Sequence, residues 1–292
     1  MAGKGNRKTP YLFIAPFLVM FAAFKLYPMV YGFAVSFLDR NSTKKLTSTA
    51  FAGLKSYTNV LASESFWQSL GRSFVFAFVY TVTVMVLGFI FAVLFNTPFK
   101  GRKAVRTMFY MPYVTNIIAV GIVFKYLLNP TKGPVNAIFR LFGAEGPKWL
   151  SSPVMALPTA AVIGAWLALA FNIITVLAAL QEIPNELYEV AELEGATFSQ
   201  RIRHIILPML VPALFMLLTI TVINSFKSYT TIVALTGGGP GTSTRTLSYQ
   251  IYEDAFTYMK FSIASAEGVL MTLVIIVVNA ILGRVRKVWE EK

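Results

Sequence analysis

Polar side chains within two apolar segments of this chain have types and spacings that could bind a small polar ligand. They are Asn224, Ser225 and Ser228 in the later segment, and Asn172 with Trp166 and Phe171 in the earlier one. A polar group in such a segment is costly and usually faces a protein interior or a cavity. Amide and hydroxyl groups beside an aromatic platform suit the hydroxyls and apolar ring faces of a sugar. Packing and hydrogen bonding between helices is the alternative interpretation of the same residues.

A second group of polar residues is acidic and lies between two long apolar segments. Five of the chain's 13 acidic residues fall there: Glu182, Glu186, Glu189, Glu192 and Glu194. A short, polar, helix-forming element of this kind suits the docking of a soluble partner better than it suits catalysis. A connecting loop with solvated charges is the alternative, because capped amphipathic loop helices are common.

The composition excludes several other kinds of chemistry. The chain has no cysteine, and so no thiol nucleophile, thiolate metal site or disulfide. Its single histidine, His204, lies among basic residues and is interpreted as a loop side chain. The glycines of residues 237–241 lack the Lys-Ser/Thr that a phosphate-binding loop requires. We therefore expect a non-catalytic chain with no metal site and no cofactor of its own.

The elements that must position these residues are membrane-spanning helices. The chain is 56% apolar and 13% charged, which is typical of a polytopic membrane protein. A spanning helix needs about 20 mainly apolar residues. Six segments qualify, and they are residues 11–37, 74–95, 108–128, 154–180, 209–235 and 263–282. The fold class is therefore all-α, in a single domain of residues 1–292 with a core of about 70–285; residues 1–69 hold the first span and an outer loop.

The positive charges predict the orientation of these spans. With the N-terminus inside, the inner segments carry 13 Lys and Arg residues and the longer outer segments carry 10. This bias places both termini and the acidic loop in the cytoplasm. The net charge of +13 forms no basic stripe, and no nucleic-acid-binding motif accompanies it, so nucleic acid is excluded as a partner.

The acidic loop itself predicts two helices separated by a tight turn. Pro184 suits the first turn of a helix, and residues 185–194 are good helix formers. Gly195 is expected to end this helix as a C-cap. Thr197 with Gln200 resembles a capping box that starts a second helix, running toward the fifth span. The expected apolar face of the first helix consists of Leu187, Val190 and Ala191.

The same loop resembles the EAA motif of bacterial ABC importer permeases. That motif reads E-A-A, three residues, G, nine residues, I, one residue, L-P, and the middle alanine is Val190 here. The matching positions are Glu189, Ala191, Gly195, Ile205, Leu207 and Pro208, with Ala196 after the glycine. In that family the loop forms a coupling helix that lies in a cleft of a cytoplasmic ATPase subunit. The resemblance thus implies that these residues couple the chain to an ATPase.

Two longer stretches resemble the sugar-importer branch of that family. Residues 166–189 are similar to its fourth-span-to-loop junction, and residues 223–240 to its fifth span with the L-T-x-G-G-P ending. In the related maltose importer the corresponding stretches line the substrate site. The resemblance therefore assigns substrate binding to Trp166, Phe171, Asn172, Asn224, Ser225 and Ser228.

The resemblance also implies the partners and the location. We expect an importer subunit for a di- or oligosaccharide in the bacterial inner membrane. It pairs with a second homologous permease, two ATPase subunits that hold ATP and Mg²⁺, and an extracellular binding protein. The alternatives are glycerol phosphate or another polyol as cargo, a secondary transporter, or a membrane scaffold. A secondary transporter would need an internal inverted repeat and coupling-ion residues, neither of which the sequence shows.

Overall fold

The structure is a computed structural model that describes residues 9–39 and 50–290. These residues form helices and turns, with one isolated antiparallel bridge between Leu38 and Phe51. The helices are α1 Thr9–Phe21, α2 Tyr27–Val35, α3 Lys55–Ala62, α4 Glu64–Asn96, α5 Arg102–Tyr110, α6 Ile117–Leu127, α7 Pro134–Leu141, α8 Ala156–Gln181, α9 Asn185–Leu193, α10 Phe198–Arg201, α11 Leu207–Phe226, α12 Tyr229–Leu235, α13 Leu247–Tyr252 and α14 Phe261–Glu290. The all-α class is confirmed.

The chain divides into two compact units. Of the described residues, the first unit comprises 9–39, 50–66 and 251–270, and the second comprises 67–250 and 271–290. In the first unit, α1 and α2 are joined by a π-helical turn at Ala22–Leu26. Every candidate site residue predicted from the sequence lies in the second unit.

Five helical segments of the described residues are long and apolar enough to cross a membrane, and a bent pair makes a sixth if it counts as one span. The five are Phe13–Val35, Glu64–Asn96, Ala156–Gln181, Phe198–Phe226 and Phe261–Lys287. The bent pair, Arg102–Val114 and Ile117–Leu127, turns through 103°. The third predicted span is therefore two helices rather than one continuous helix.

The bend in that pair has a local cause. Pro112 lies in a 3₁₀ turn, Met111–Val114, at the end of α5. Asn116 then adopts an extended conformation, and its side chain accepts a hydrogen bond of 2.8 Å from the Ile118 N–H. A side-chain cap of this kind starts a new helix instead of continuing the old one.

The fifth predicted span, 209–235, also differs from the observed helix. The helical segment begins at Phe198 and ends at Phe226, with Lys227 as its C-cap. The chain turns at Ser228 and continues as α12. Lys227 therefore lies exposed at a helix end rather than inside a span.

The core of the second unit is packed between α4, α8 and α11. Its buried side chains include Phe95 of α4, Leu177 of α8 and Leu217 of α11. Ile183 and Ile206, on either side of the acidic loop, are buried in the same core. The acidic loop is thus anchored at both ends to the spans that carry the candidate ligand-binding residues.

Candidate functional site

Three of the predicted ligand-binding residues line one cavity in the second unit. Phe171 and Asn172 reach it from α8, and Asn224 reaches it from α11. The cavity has a volume of about 140 Å³. Its other walls are Tyr80, Tyr113, Ala168, Ile220 and Thr221. The arrangement brings amide, hydroxyl and aromatic groups from four helical segments together.

Asn172, in the wall of this cavity, has a buried hydrogen-bond acceptor that is not used. Its side chain is 3% exposed, and its Nδ2 donates a long bond of 3.5 Å to the Ala168 carbonyl oxygen. Its Oδ1 is buried without a hydrogen-bond partner in the described part of the protein. A buried acceptor left unpaired costs free energy, so a ligand that donates a hydrogen bond there would be favoured.

An aromatic platform forms one wall of the cavity. The rings of Tyr113 and Phe171 are nearly parallel, with an interplanar angle of 17° and centroids 6.4 Å apart. Tyr113 belongs to the 3₁₀ turn at the end of α5, so the bend in the third span places this ring. Flat aromatic faces can pack against the apolar face of a sugar ring.

Trp166 lies in a different cavity. It is on α8 and packs edge-on against Phe124 of α6, with ring centroids 5.5 Å apart. It lines a largely apolar cavity of about 270 Å³ with Thr83, Leu87 and Leu169. The structure therefore does not bring Trp166 together with Phe171 and Asn172. Phe171 lies five positions after Trp166, and on a helix this spacing points the two side chains to different sides.

Ser225 and Ser228 do not line the first cavity, and each makes a local hydrogen bond instead. The buried Ser225 hydroxyl donates to the Val222 carbonyl oxygen at 2.7 Å. The Ser228 and Thr231 hydroxyls are 2.8 Å apart where the chain turns into α12. These contacts match the alternative that small polar residues pack and bond within the helical bundle.

Close contact between α4 and α8 holds Asn172 in place. A Cβ added at Gly88 would lie 3.0 Å from the Asn172 Cβ. A side chain at this position would require Asn172 or its helix to shift by a few tenths of an ångström, so glycine favours the close approach of the two helices.

Sequence reasoning missed Tyr80, Tyr113 and Thr221 as members of this cavity. Thr221 could have been found from its spacing, since it lies one helical turn before Asn224. Tyr80 and Tyr113 come from segments that are distant in sequence, and tertiary packing alone brings them to the cavity.

The acidic loop forms the predicted helix, tight turn and second helix. Gly195 adopts the left-handed conformation, with φ of 72°. Its N–H donates to the Glu192 carbonyl at 3.0 Å, and the Ala196 N–H donates to the Ala191 carbonyl at 2.8 Å. This pair of bonds is the Schellman motif, in which glycine is preferred because it has no Cβ. The predicted C-cap is confirmed.

The capping box of the second helix is also present. The Gln200 side chain accepts from the Thr197 N–H at 2.8 Å, and the Thr197 hydroxyl accepts from the Gln200 N–H at 3.4 Å. From there α10 continues through a π-helical turn, Ile202–Ile206, into α11. The second helix of the loop and the fifth span therefore form one helical segment, and the turn at Gly195 separates α9 from it. Pro184 precedes the first helix as its N-cap instead of lying in its first turn.

The apolar face predicted for α9 is only partly buried in the structure. Ala191 is buried, whereas Leu187 and Val190 are exposed. Leu193 is 89% exposed, and Phe198 is exposed across the turn. Glu189 is exposed beside them. An apolar patch rimmed by charge is typical of a surface that contacts another protein.

The remaining predicted residues of the loop lie between its two helices or at the start of α11. Ala191, Gly195, Ala196 and Ile205 line a notch of about 350 Å³ between the two helices. Leu207 and Pro208 directly follow the π-helical turn Ile202–Ile206, where α11 begins. Tyr188 packs against the core, and burial raises the pKa of its phenol above the ordinary value.

Comparison with known proteins agrees with this arrangement. Residues 84–289 match the family described as the binding-protein-dependent transport system inner membrane component. This chain belongs to that family. It is a multi-pass membrane protein and a transport permease subunit of an ABC importer.

Relatives match almost the whole chain. The sn-glycerol-3-phosphate transport system permease protein UgpA of Agrobacterium fabrum is 31% identical over 94% of this chain and 93% of its own length. The trehalose/maltose transport system permease protein MalF of Thermococcus litoralis is 31% identical over 96% of this chain and 95% of its own length.

A solved structure shows a similar fold. It is that of a bacterial ABC transporter involved in the import of the acidic polysaccharide alginate. The matched chain is 25% identical, with a TM-score of 0.81, and the match covers 95% of this chain and 94% of that one. The ABC permease fold expected from the sequence is thus confirmed.

Proposed function

We propose that this permease carries a neutral di- or oligosaccharide and that the cavity around Asn172 contacts the sugar during transport. The observation that carries this proposal is the convergence of Phe171, Asn172 and Asn224 on one cavity. Tyr80, Tyr113 and Thr221 add two aromatic rings and three hydroxyl groups. The cargo of relatives supports it, since one is a trehalose/maltose permease.

The charge of the cavity favours a neutral cargo. Among the described residues, no lysine, arginine or acidic residue lines it. A phosphorylated cargo is usually bound by arginine, lysine or helix N-termini. Lys227 is close in sequence to Asn224, but it is exposed at the C-terminus of α11 and is not part of the lining.

The energy for transport is proposed to come from an ATPase subunit that docks on α9. Support comes from the exposed Leu187, Val190 and Leu193 and from the match of Glu189 and Gly195 to the EAA pattern. ATP and Mg²⁺ would be held by that partner. Since α10 continues into α11, movement of the loop would be passed to the span that carries Asn224.

The proposed assembly has a second homologous permease, two ATPase subunits and an extracellular binding protein. The family description, binding-protein-dependent, supports the last of these. Both termini and the acidic loop would be cytoplasmic, as the distribution of lysine and arginine indicates. Ala196, Ile205, Leu207 and Pro208 would hold the loop in its docking geometry.

A second candidate cargo is glycerol phosphate. The relative UgpA, a glycerol-3-phosphate permease, favours it. The uncharged cavity argues against it, so we rank it below a sugar.

Uptake measurements with single substitutions test the proposal. The importer is expressed in cells that lack it, and uptake of labelled maltose, trehalose, longer oligosaccharides and glycerol phosphate is compared. For the transported sugar, Asn172→Ala and Asn224→Ala should each raise KM about tenfold, the factor that 1.4 kcal/mol represents. Ser225→Ala is the matched control, because its hydroxyl bonds within its own helix.

The membrane level of each variant is measured alongside uptake. Uptake of glycerol phosphate without uptake of any sugar would contradict the proposed cargo. Unchanged sugar kinetics in both asparagine variants would contradict the proposed cavity.

A further inference from the structure

A larger cavity lies apart from the cavity around Asn172. It has a volume of about 410 Å³, within the range of about 300–1,000 Å³ that ligand pockets usually have. It lies between the C-terminal end of α4, α5 and the C-terminal half of α8. Its walls include Phe95, Arg106, Phe109, Ile173, Ile174 and Leu177. None of the residues predicted to bind substrate or to couple to the ATPase lines it.

The walls combine an apolar surface with one cation. The Arg106 Nη2 donates to the Phe95 carbonyl oxygen at 2.8 Å. The Arg106 Nε is buried and has no hydrogen-bond partner in the described part of the protein. Among the described residues, no acidic side chain lines the cavity. A partly buried cation without a counter-ion is costly, so an anionic group beside it would be favoured.

The residues just before Arg106 in the sequence add further positive charge near the cavity. Lys100, Arg102 and Lys103 precede Arg106, and the buried Arg102 Nε also has no hydrogen-bond partner among the described residues. These residues form the short segment that the charge distribution places at the cytoplasmic end of the spans. Basic pockets between spans on the cytoplasmic side suit anionic lipid headgroups.

We propose that this cavity binds an anionic phospholipid of the inner leaflet. The phosphate would accept hydrogen bonds from the Arg106 side chain, and an acyl chain would lie along Phe109 and Ile174. Ile174 is 51% exposed, which leaves its apolar side chain available to the lipid. The membrane supplies this ligand to the chain directly. The proposal does not depend on the identity of the transported cargo.

Because of the position of the cavity, a bound lipid would contact the end of α8. Gln181 lines the cavity and is the last residue of α8. The acidic loop follows it, with Ile183 buried in the core. A lipid in the cavity therefore stabilises the end of the span from which α9 projects.

Native mass spectrometry of the full chain in mild detergent tests the proposal. Phosphatidylglycerol and phosphatidylcholine with identical acyl chains are added in equal amounts. The wild-type chain should bind phosphatidylglycerol about tenfold more tightly, a factor that corresponds to 1.4 kcal/mol. Arg106→Gln should remove that preference. Lys103→Gln is the matched control, because it removes one charge from the same helix but does not line the cavity.

A second variant keeps the charges and removes the space. Ala178 lines the cavity and is exposed, so Ala178→Phe should fill it without disturbing the core. Binding of phosphatidylglycerol should then fall about as much as in Arg106→Gln. Thermal unfolding and size-exclusion chromatography confirm that each variant is folded.

Three results would overturn the proposal. The first is equal binding of the two lipids by the wild-type chain. The second is wild-type binding by both Arg106→Gln and Ala178→Phe, or an equal loss in Lys103→Gln and Arg106→Gln. The third is efficient cross-linking of an Ala178→Cys variant to the second permease subunit in the assembled importer. That result would assign the cavity to the subunit interface.

Discussion

Asn172 combines burial, an unused acceptor and a position on the wall of a cavity. These features distinguish it from Ser225, which is equally buried but bonded within its own helix. The sequence places both residues in spans and cannot separate them, because local spacing does not report hydrogen-bond partners. The structure separates them by what each side chain contacts.

Substitution of Tyr113 or of Trp166 should have different effects, because the two rings line different cavities. Tyr113→Ala removes the ring stacked on Phe171 and should raise the KM for the transported sugar several-fold, as loss of an aromatic contact of about 1 kcal/mol implies. Trp166→Ala serves as the comparison, since Trp166 packs against Phe124. It should lower the melting temperature more than it changes KM. Uptake kinetics and thermal unfolding of the two variants decide the matter, and the reverse pattern would place the sugar beside Trp166.

Gly195 makes a prediction about coupling. Its φ of 72° is unfavourable for a residue with a Cβ, so Gly195→Val should strain the turn by about 1–2 kcal/mol. We expect the spans to insert normally while co-purification of the ATPase and sugar-stimulated ATP hydrolysis decrease. Gly101→Val is the matched control, because Gly101 has φ of 87° and open space around it but lies outside the loop. Normal coupling in Gly195→Val, or an equal defect in Gly101→Val, would contradict the role of the turn.

At the scale of elements, local sequence signals were sufficient for the acidic loop. Gly195, Thr197 and Gln200 act on neighbours within a few residues, so their spacing predicted the turn and the capping box correctly. The side of α9 that carries Leu187 and Val190 was predicted less well. Periodicity identifies an apolar face, but it does not show whether the core or a partner covers that face.

The bent third span shows where hydropathy fails. Residues 108–128 are mainly apolar and predict one helix. The 103° turn depends on Pro112 and on the Asn116 cap, which hydropathy does not register. This bend places Tyr113 at the cavity, so the missed element and the missed site residue have one cause.

The packing of α4 on α8 predicts that a larger residue at Gly88 destabilises the protein. Gly88→Val should push the helices apart at Asn172 and destabilise the protein by about 1–3 kcal/mol, the usual cost of overpacking. Gly71→Val on the same helix is the control, because nothing lies within 4 Å of its added Cβ. Thermal unfolding should show a lower melting temperature only for Gly88→Val, accompanied by weaker sugar uptake. Equal melting temperatures for the two variants would show that the contact does not constrain the site.

In the whole molecule, one continuous helical segment connects the proposed docking surface with the proposed substrate cavity. Phe198–Phe226 begins at the acidic loop and carries Asn224 near its other end. The family match shows that the chain is a subunit of an importer. We propose that this helical segment connects its docking surface to its cavity. Composition and hydropathy were enough to predict an all-α membrane protein. They could not predict the cavities, which depend on packing between distant segments.

Reconstitution in proteoliposomes tests whether this chain imports a sugar only when it is coupled to an ATPase. This chain is assembled with its second permease, the ATPase and the binding protein, and ATP hydrolysis and sugar uptake are measured together. We expect the sugar-loaded binding protein to stimulate both, and omission of the ATPase or its Mg²⁺ to abolish uptake. Sugar movement by this chain in liposomes without the ATPase would contradict the account, as would complete assembly with ATP hydrolysis but no uptake of any sugar.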